Sequence, residues 1–156
     1  MRLHLCVVGR LRAGPERNLI DDYLKRFERT GRPLGLGPVV EHEVEDKKSL
    51  GMGAEAVLLE RVCPAGAVRV TLDERGSVMS SPEFAQRLAR WRDGGAQDLA
   101  LFIGGADGLD PGLRAGADAA LSLGAMVWPH ALVRVMLAEQ LYRAATILAG
   151  SPYHRA

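Results

Sequence analysis

The chain has 156 residues, 47% of them hydrophobic, and a formal net charge of +1. This is the size and balance of one globular domain with a real core, which excludes a disordered chain. No apolar run approaches the ~20 residues that span a bilayer, and the first residues alternate too much for a signal peptide. We therefore expect a single cytoplasmic domain over residues 1–156 with no membrane partner.

Metal and nucleic-acid signatures are weak in the composition. Cys6 and Cys63 have no histidine near them in sequence, so they form no zinc pattern and we expect no metal. Residues 1–32 nevertheless hold eight basic and four acidic side chains. A basic edge there could contact phosphates, although a solvated helix face of mixed charge is the simpler interpretation.

Strand and helix patterns alternate along the chain. The predicted strands cover residues 2–8, 36–44, 67–72 and 98–103, and a fifth strand with its exit loop covers 121–128. Five helices are predicted. Two of them begin at Pro15 and at Ser81, and the other three cover about residues 54–62, 111–118 and 131–149. The sequence predicts a turn at residues 73–76. This alternation predicts an α/β fold with a parallel-type sheet covered by helices on both faces.

Three loops follow predicted strand ends, where α/β folds bind ligands: those after Leu72, after Ile103 and around residues 123–129. The middle loop contains Gly104, Gly105 and Gly108, which would let a ligand approach the backbone closely. Their spacing is neither a dinucleotide fingerprint nor a phosphate loop, and three glycines can also simply make a turn.

The last helix is apolar on more than one face, so it needs two partners. One partner is the sheet; the other is a second subunit or the rest of the monomer. Glu139 and Arg143 are four residues apart in the favourable order for a helix ion pair.

The C-terminus carries three side chains that could act on a nucleic acid, Tyr153, His154 and Arg155, although their polarity could also be accidental. Tyrosine or histidine can stack on a base, arginine can hold a phosphate, and histidine can relay a proton. His4 and His42 lie in predicted strands and are interpreted as packing or surface residues.

An ordered set of short motifs resembles the RlmH family of ribosomal large-subunit pseudouridine N3-methyltransferases, within the SPOUT superfamily. They are Val70-Thr71-Leu72-Asp73, Ile103-Gly104-Gly105-x-x-Gly108-Leu109, Leu121-Ser122-Leu123, Pro129-His130-x-Leu132-x-Arg134, Glu139-Gln140-x-Tyr142-Arg143-Ala144 and Pro152-Tyr153-His154-Arg155. The resemblance implies a SPOUT-type α/β sheet with a C-terminal deep trefoil knot, and a homodimer acting on ribosomal RNA of the large subunit or assembled ribosome.

The resemblance also implies that S-adenosylmethionine is held in the knot. By motif position, the cofactor site would be lined by Leu72, Gly104, Gly105, Leu123, Gly124, Ala125, Met126, Val127 and Trp128. For the mechanism, our hypothesis is that His154 relays a proton or positions the base, that Arg155, or else Arg134 or Arg143, stabilises charge or phosphate, and that Tyr153 stacks on the base. In a dimer, the tail of one subunit could complete the site of its partner. Two alternatives stay open: a knotted methyltransferase acting on tRNA, and a non-catalytic module that binds an adenosine cofactor.

Overall fold

The computed structural model describes residues 1–155. Its strands are β1 (Arg2–Val8), β2 (Val39–Val44), β3 (Val68–Val78), β4 (Asp98–Ile103) and β5 (Ala119–Ser122). Its α-helices are α1 (Pro15–Gly31), α2 (Met52–Val62), α3 (Ser81–Asp93), α4 (Pro111–Ala115) and α5 (His130–Leu148), and a 3-10 turn covers Arg32–Leu34. The strands form one parallel sheet in the order β2-β1-β4-β3-β5, which confirms the predicted α/β class.

Side chains of β1 alternate between two hydrophobic layers, as the pleat requires. Leu3, Leu5 and Val7 pack in the larger cluster, which contains buried residues of α1, α3 and α5. Cys6 and Val8 pack in the smaller one with buried residues of α2 and α4. All six residues of β4 are buried, since this strand lies inside the sheet with helices over both faces.

Several element boundaries differ from the predicted ones. β2 begins at Val39, and the preceding Pro38 lacks the N–H that a strand ladder needs. α4 ends at Ala115, and β5 covers Ala119–Ser122, so residues 123–128 are loop. The α3 N-cap is Ser80, one residue before the predicted start. Its hydroxyl accepts from Glu83 N at 3.2 Å, and Glu83 Oε2 accepts from Ser80 N at 2.6 Å.

β3 continues beyond the predicted end at Leu72, through an interruption. Leu72 and Ser77 both pair with Leu121 of β5, so residues 73–76 bulge out of the strand. A Cβ on Gly76 would lie 2.7 Å from the carbonyl carbon of Ala120, which leaves no room for a side chain. The bulge therefore lies directly beside β5.

Two kinds of feature are absent from the described residues. Among residues 1–155, no helix is both long and apolar enough to cross a membrane. No group of three or more His, Cys, Asp or Glu side chains in that range is arranged to hold a metal ion.

Candidate functional site

A cavity of about 800 Å3 opens at the carboxyl ends of β4 and β5 and at the β3 bulge that follows Leu72. This is the edge of a parallel sheet where ligands bind. Its volume is that of a pocket for a small organic ligand. The walls come from the β3 bulge, the glycine-rich loop after β4, the loop after β5 and the first turn of α5.

Most residues expected at the cofactor site line this cavity. They are Leu72, Gly104, Gly105, Leu123, Gly124, Met126, Val127 and Trp128. Ala125 is not among the lining residues and is exposed. Met126 is 73% exposed and Val127 80% exposed, so the loop after β5 forms an open apolar wall.

The glycine-rich loop after β4 is closed tightly on itself. A Cβ on Gly104 would lie 2.6 Å from the carbonyl group of Gly108, and Gly105 and Gly108 form an isolated antiparallel bridge. Gly108 has φ of +81°, a conformation that L side chains rarely adopt. The loop can therefore close this tightly only with glycine at position 104, and the backbone of its three glycines forms part of the cavity wall.

The β3 bulge adds a fixed carboxylate to the cavity wall. Asp73 Oδ1 accepts from Arg75 N at 2.8 Å, and Asp73 Oδ2 lies 3.5 Å from Arg114 Nε. Burial alone would raise the pKa of Asp73, but the hydrogen bonds from Arg75 and the charges of Arg75 and Arg114 lower it below the ordinary value. Asp73 is therefore ionised at neutral pH and held in place.

Sequence reasoning did not assign Asp73, Arg75 or His130 to the cavity, although all three line it. The signal for Asp73 and Arg75 was their position directly after a strand end already expected to bind a ligand. His130 is the first residue of α5. A Cβ on Gly9, just after β1, would lie 3.8 Å from His130 Nε2, so the cavity also borders the end of β1.

Arg134, a candidate for stabilising charge or phosphate, is buried in an ion pair. It is 2% exposed, its Nη1 donates to Glu43 Oε2 at 2.7 Å and its Nη2 donates to Gly9 O at 2.9 Å. Glu43 Oε2 also accepts from Leu11 N at 2.7 Å. Burial would raise the pKa of Glu43, but the Arg134 and Leu11 hydrogen bonds lower it. Arg134 thus ties α5 to β2 and the end of β1. Because its guanidinium is already engaged there, it is not available for the phosphate-stabilising role for which the sequence made it a candidate.

The tail lies at the other end of α5 from the cavity. Tyr153, His154 and Arg155 are not among the lining residues. His154 Nδ1 lies 3.2 Å from Arg143 Nη1. At 1.5 Å per residue, Arg143 is roughly 20 Å along the helix from His130. The structure therefore does not bring the tail to the cavity within this chain.

Glu139 and Arg143 form the predicted helix pair, with Arg143 Nη2 donating to Glu139 Oε1 at 2.6 Å. Burial, and then the hydrogen bond to Glu139, raise the pKa of Tyr153 to about 12. The phenol is therefore a hydrogen-bond donor at neutral pH and not a base.

His4 and His42 lie in the sheet as predicted, away from the cavity. His4 Nδ1 lies 3.1 Å from His42 Nε2, and His4 Nε2 lies 2.8 Å from Asp98 Oδ1. His4 and Asp98 are both buried, and the two imidazole rings are stacked. This cluster ties together β1, β2 and β4.

Comparison with known proteins agrees with this architecture. A family model described as "Predicted SPOUT methyltransferase" matches residues 1–154. The protein named "Ribosomal RNA large subunit methyltransferase H" from Ruegeria pomeroyi is 73% identical over 155 residues, and a protein of the same name from Cereibacter sphaeroides is 72% identical; each alignment covers 99% of both chains.

Solved structures with a similar fold are distant in sequence. A probable methylase family protein from Haemophilus influenzae has a TM-score of 0.54 at 11% identity, covering 99% of this chain and 70% of the other. A probable methyltransferase from Bordetella pertussis has a TM-score of 0.50 at 16% identity, covering 92% and 96%. The family match over almost the whole chain and the full-length relatives establish that this chain belongs to the SPOUT methyltransferase family.

Proposed function

We propose that this chain is an S-adenosylmethionine-dependent methyltransferase that methylates N3 of a pseudouridine in large-subunit ribosomal RNA. The observation that carries the proposal is the cavity where the β3 bulge meets the ends of β4 and β5. Relatives at 73% and 72% identity are named for methylation of large-subunit ribosomal RNA, which supports the substrate class. The pseudouridine and its N3 atom come from the resemblance of the sequence motifs.

The cavity fits the cofactor in size and chemistry. The exposed side chains of Met126, Val127 and Trp128 offer an apolar wall for an adenine ring. The backbone of Gly104 and Gly105 offers hydrogen-bonding groups without a side chain in the way. When bound, the sulfonium cofactor supplies an electrophilic methyl group. The protein then has to orient the attacking nitrogen, keep water out and take up its proton.

We propose a homodimer formed through the outer face of α5 and α1. Leu132 is 40% exposed and Leu19 45% exposed. Val135 and Met136 are half-buried and line a shallow groove together with Leu19. Two α5 helices packed antiparallel around a twofold axis would bring the end of one helix beside the start of the other. The tail lies roughly 20 Å along α5 from the cavity of its own protomer, but in this arrangement it would lie beside the cavity of the partner.

In such a dimer, the tail of one protomer completes the cavity of its partner. His154 takes the proton from N3, Arg155 stabilises the negative charge that develops on the base, and Tyr153 positions the base. The N3 proton belongs to an imide, so a single well-placed imidazole is a sufficient base. The C-terminal trefoil knot is part of the proposal, because the chain leaves β5 at the sheet edge and returns in α5 against α1 and α3.

Transfer of a labelled methyl group tests the proposal and separates it from its alternatives. The substrate is ribosomal particles from a strain that lacks this protein, and the modified nucleotide is then mapped. The proposal predicts label at N3 of a pseudouridine in large-subunit RNA. Label on tRNA instead would support the tRNA alternative, and cofactor binding without transfer to any RNA would support the non-catalytic module.

A further inference from the structure

The loop after β1, residues 9–14, carries two arginines beside the candidate cavity. Arg10 and Arg12 are both exposed, and the side chain of Arg10 is 69% exposed. Arg10 Nε lies 3.9 Å from Glu45 Oε1, too far for a hydrogen bond. Within residues 1–155, Arg12 takes part in none of the ion pairs. Their donors are therefore available to an outside anion.

Leu11, between the two arginines, is anchored. Its side chain packs against the larger core cluster and its N–H donates to Glu43 Oε2. Gly9 is held on both sides, because its N–H donates to Val44 O at 2.8 Å and its carbonyl accepts from Arg134. Arg10 and Arg12 thus project from a fixed loop, so little backbone entropy opposes binding.

The same sheet register places this loop next to the cavity. Val8 pairs with Val44, and Val7 pairs with Ile103, the last residue before the glycine-rich loop. A Cβ on Gly105 would lie 3.2 Å from Val8 Cγ1, and Gly9 approaches the ring of His130 as described above. The arginine loop therefore begins next to His130 and Gly105, which line the cavity, although no residue of the loop lines it.

The neighbouring loop after β2 extends the positive surface. Lys47 and Lys48 are exposed and, in the described part of the chain, take part in none of the ion pairs. Two acids, Glu45 and Asp46, lie in the same loop, and the Asp46 carboxylate is already engaged by Gly51 N at 2.9 Å. Four basic and two acidic side chains leave the two loops with a net positive charge.

We infer that Arg10 and Arg12 bind backbone phosphates of the RNA strand that leads the target base into the cavity, with Lys47 and Lys48 adding to the same contact. The guanidinium fork matches phosphate oxygens in two-point hydrogen bonds. This inference rests on the proposed function for its substrate, and it adds the face from which the RNA approaches.

Neutralising the two arginines tests it against a matched control. The test variant is Arg10→Gln/Arg12→Gln, and the control is Arg29→Gln/Arg32→Gln, which removes the same charge. Arg29 and Arg32 are exposed where α1 ends, at the edge of the sheet opposite the cavity. The probe is the ribosomal particle described above. Binding is measured over a range of salt concentrations, and methyl transfer is measured in parallel.

We expect the Arg10/Arg12 variant to bind particles roughly ten-fold more weakly at about 0.1 M salt. Its plot of log affinity against log salt should be shallower by about 1.4, or 0.7 for each lost phosphate contact to a single strand. Affinity for S-adenosylmethionine and the melting temperature should match wild type. Lys47→Gln/Lys48→Gln should give a smaller loss of the same kind.

The inference would be overturned if the Arg10/Arg12 variant bound particles with the same affinity as the control, whether both kept wild-type affinity or both lost it equally. This result is distinguishable from failure of the proposed function, in which wild type transfers no methyl group to the particles. The binding comparison remains decisive in that case, because it does not depend on turnover.

Discussion

The hydroxyl of Tyr153 donates a hydrogen bond to Glu139 Oε1 across 3.0 Å, and this bond ties the C-terminal tail to α5. Arg143 strengthens the attachment, because it donates to the same carboxylate and its guanidinium lies 4.9 Å from the centre of the Tyr153 ring. The ring of Tyr142 packs 4.6 Å from that of Tyr153. The tail is therefore held against its own helix by a hydrogen bond and by ring contacts.

The raised pKa of Tyr153 predicts a loss of stability in alkali. The unfolded chain ionises this phenol near 10 and the folded chain near 12. The stabilising contribution is complete below pH 10 and is lost as the pH rises toward 12, where the unfolded chain releases the proton more readily. Urea denaturation across this range should show a free energy of unfolding that falls more steeply in wild type than in Tyr153→Phe. Parallel curves for the two proteins would contradict the raised pKa.

Replacing His154 should separate catalysis from cofactor binding. His154 lies against Arg143 on the tail, away from the cavity of its own protomer. His154→Ala should lower kcat by roughly a hundred-fold or more, the usual contribution of a general base. Calorimetry should find an unchanged dissociation constant for S-adenosylmethionine. Unchanged turnover would remove this residue from the mechanism.

A methyl group on Gly104 should damage the cofactor site. Its Cβ would overlap the carbonyl group of Gly108, and such overpacking typically costs about 1–3 kcal/mol. Gly104→Ala should weaken S-adenosylmethionine binding roughly ten-fold or more, measured by calorimetry. Gly53→Ala is the matched control, since nothing lies within 4 Å of a Cβ there. A Gly104→Ala protein that binds the cofactor like the control would argue against this loop as the binding site.

Removing the charge of Arg134 should be among the most destabilising single changes in the chain. Arg134→Met would leave Glu43 without its main partner, and breaking a buried pair in this way costs about 3 kcal/mol. Glu43→Gln should cost less, because an amide oxygen can still accept from Arg134 and Leu11. Urea titrations of both single variants and the double variant give the coupling energy, which we expect to exceed about 1 kcal/mol. Strictly additive losses would show that the two residues act independently.

The sheet and its helices were predictable because their signals are local. β4 is a continuous apolar run that ends at two glycines, and its bounds were predicted correctly. Pro15 marks the start of α1 in the same way. The three strand-end loops could be identified without any structure, since parallel strands place their carboxyl ends at one edge.

The features that sequence reasoning missed depend on distant partners. Arg134 was a candidate for stabilising charge or phosphate, and its ion-pair partner Glu43 is 91 residues away in sequence. The length of the β3 bulge depends on how closely Gly76 approaches Ala120 of β5. The position of the tail on Glu139, away from the cavity, likewise depends on packing that no spacing rule encodes.

Mixing two impaired variants, at a cofactor concentration too low to load Gly104→Ala, tests most directly whether one methyltransferase site is shared between protomers. Gly104→Ala supplies an intact tail with a damaged cavity, and His154→Ala supplies the reverse. If the tail serves its partner's cavity, mixed dimers hold one complete site each. An equal mixture, unfolded and refolded together, should then regain about a quarter of wild-type methyl transfer. Activity no higher than the average of the two variants alone would show that sites are not shared and would contradict the account.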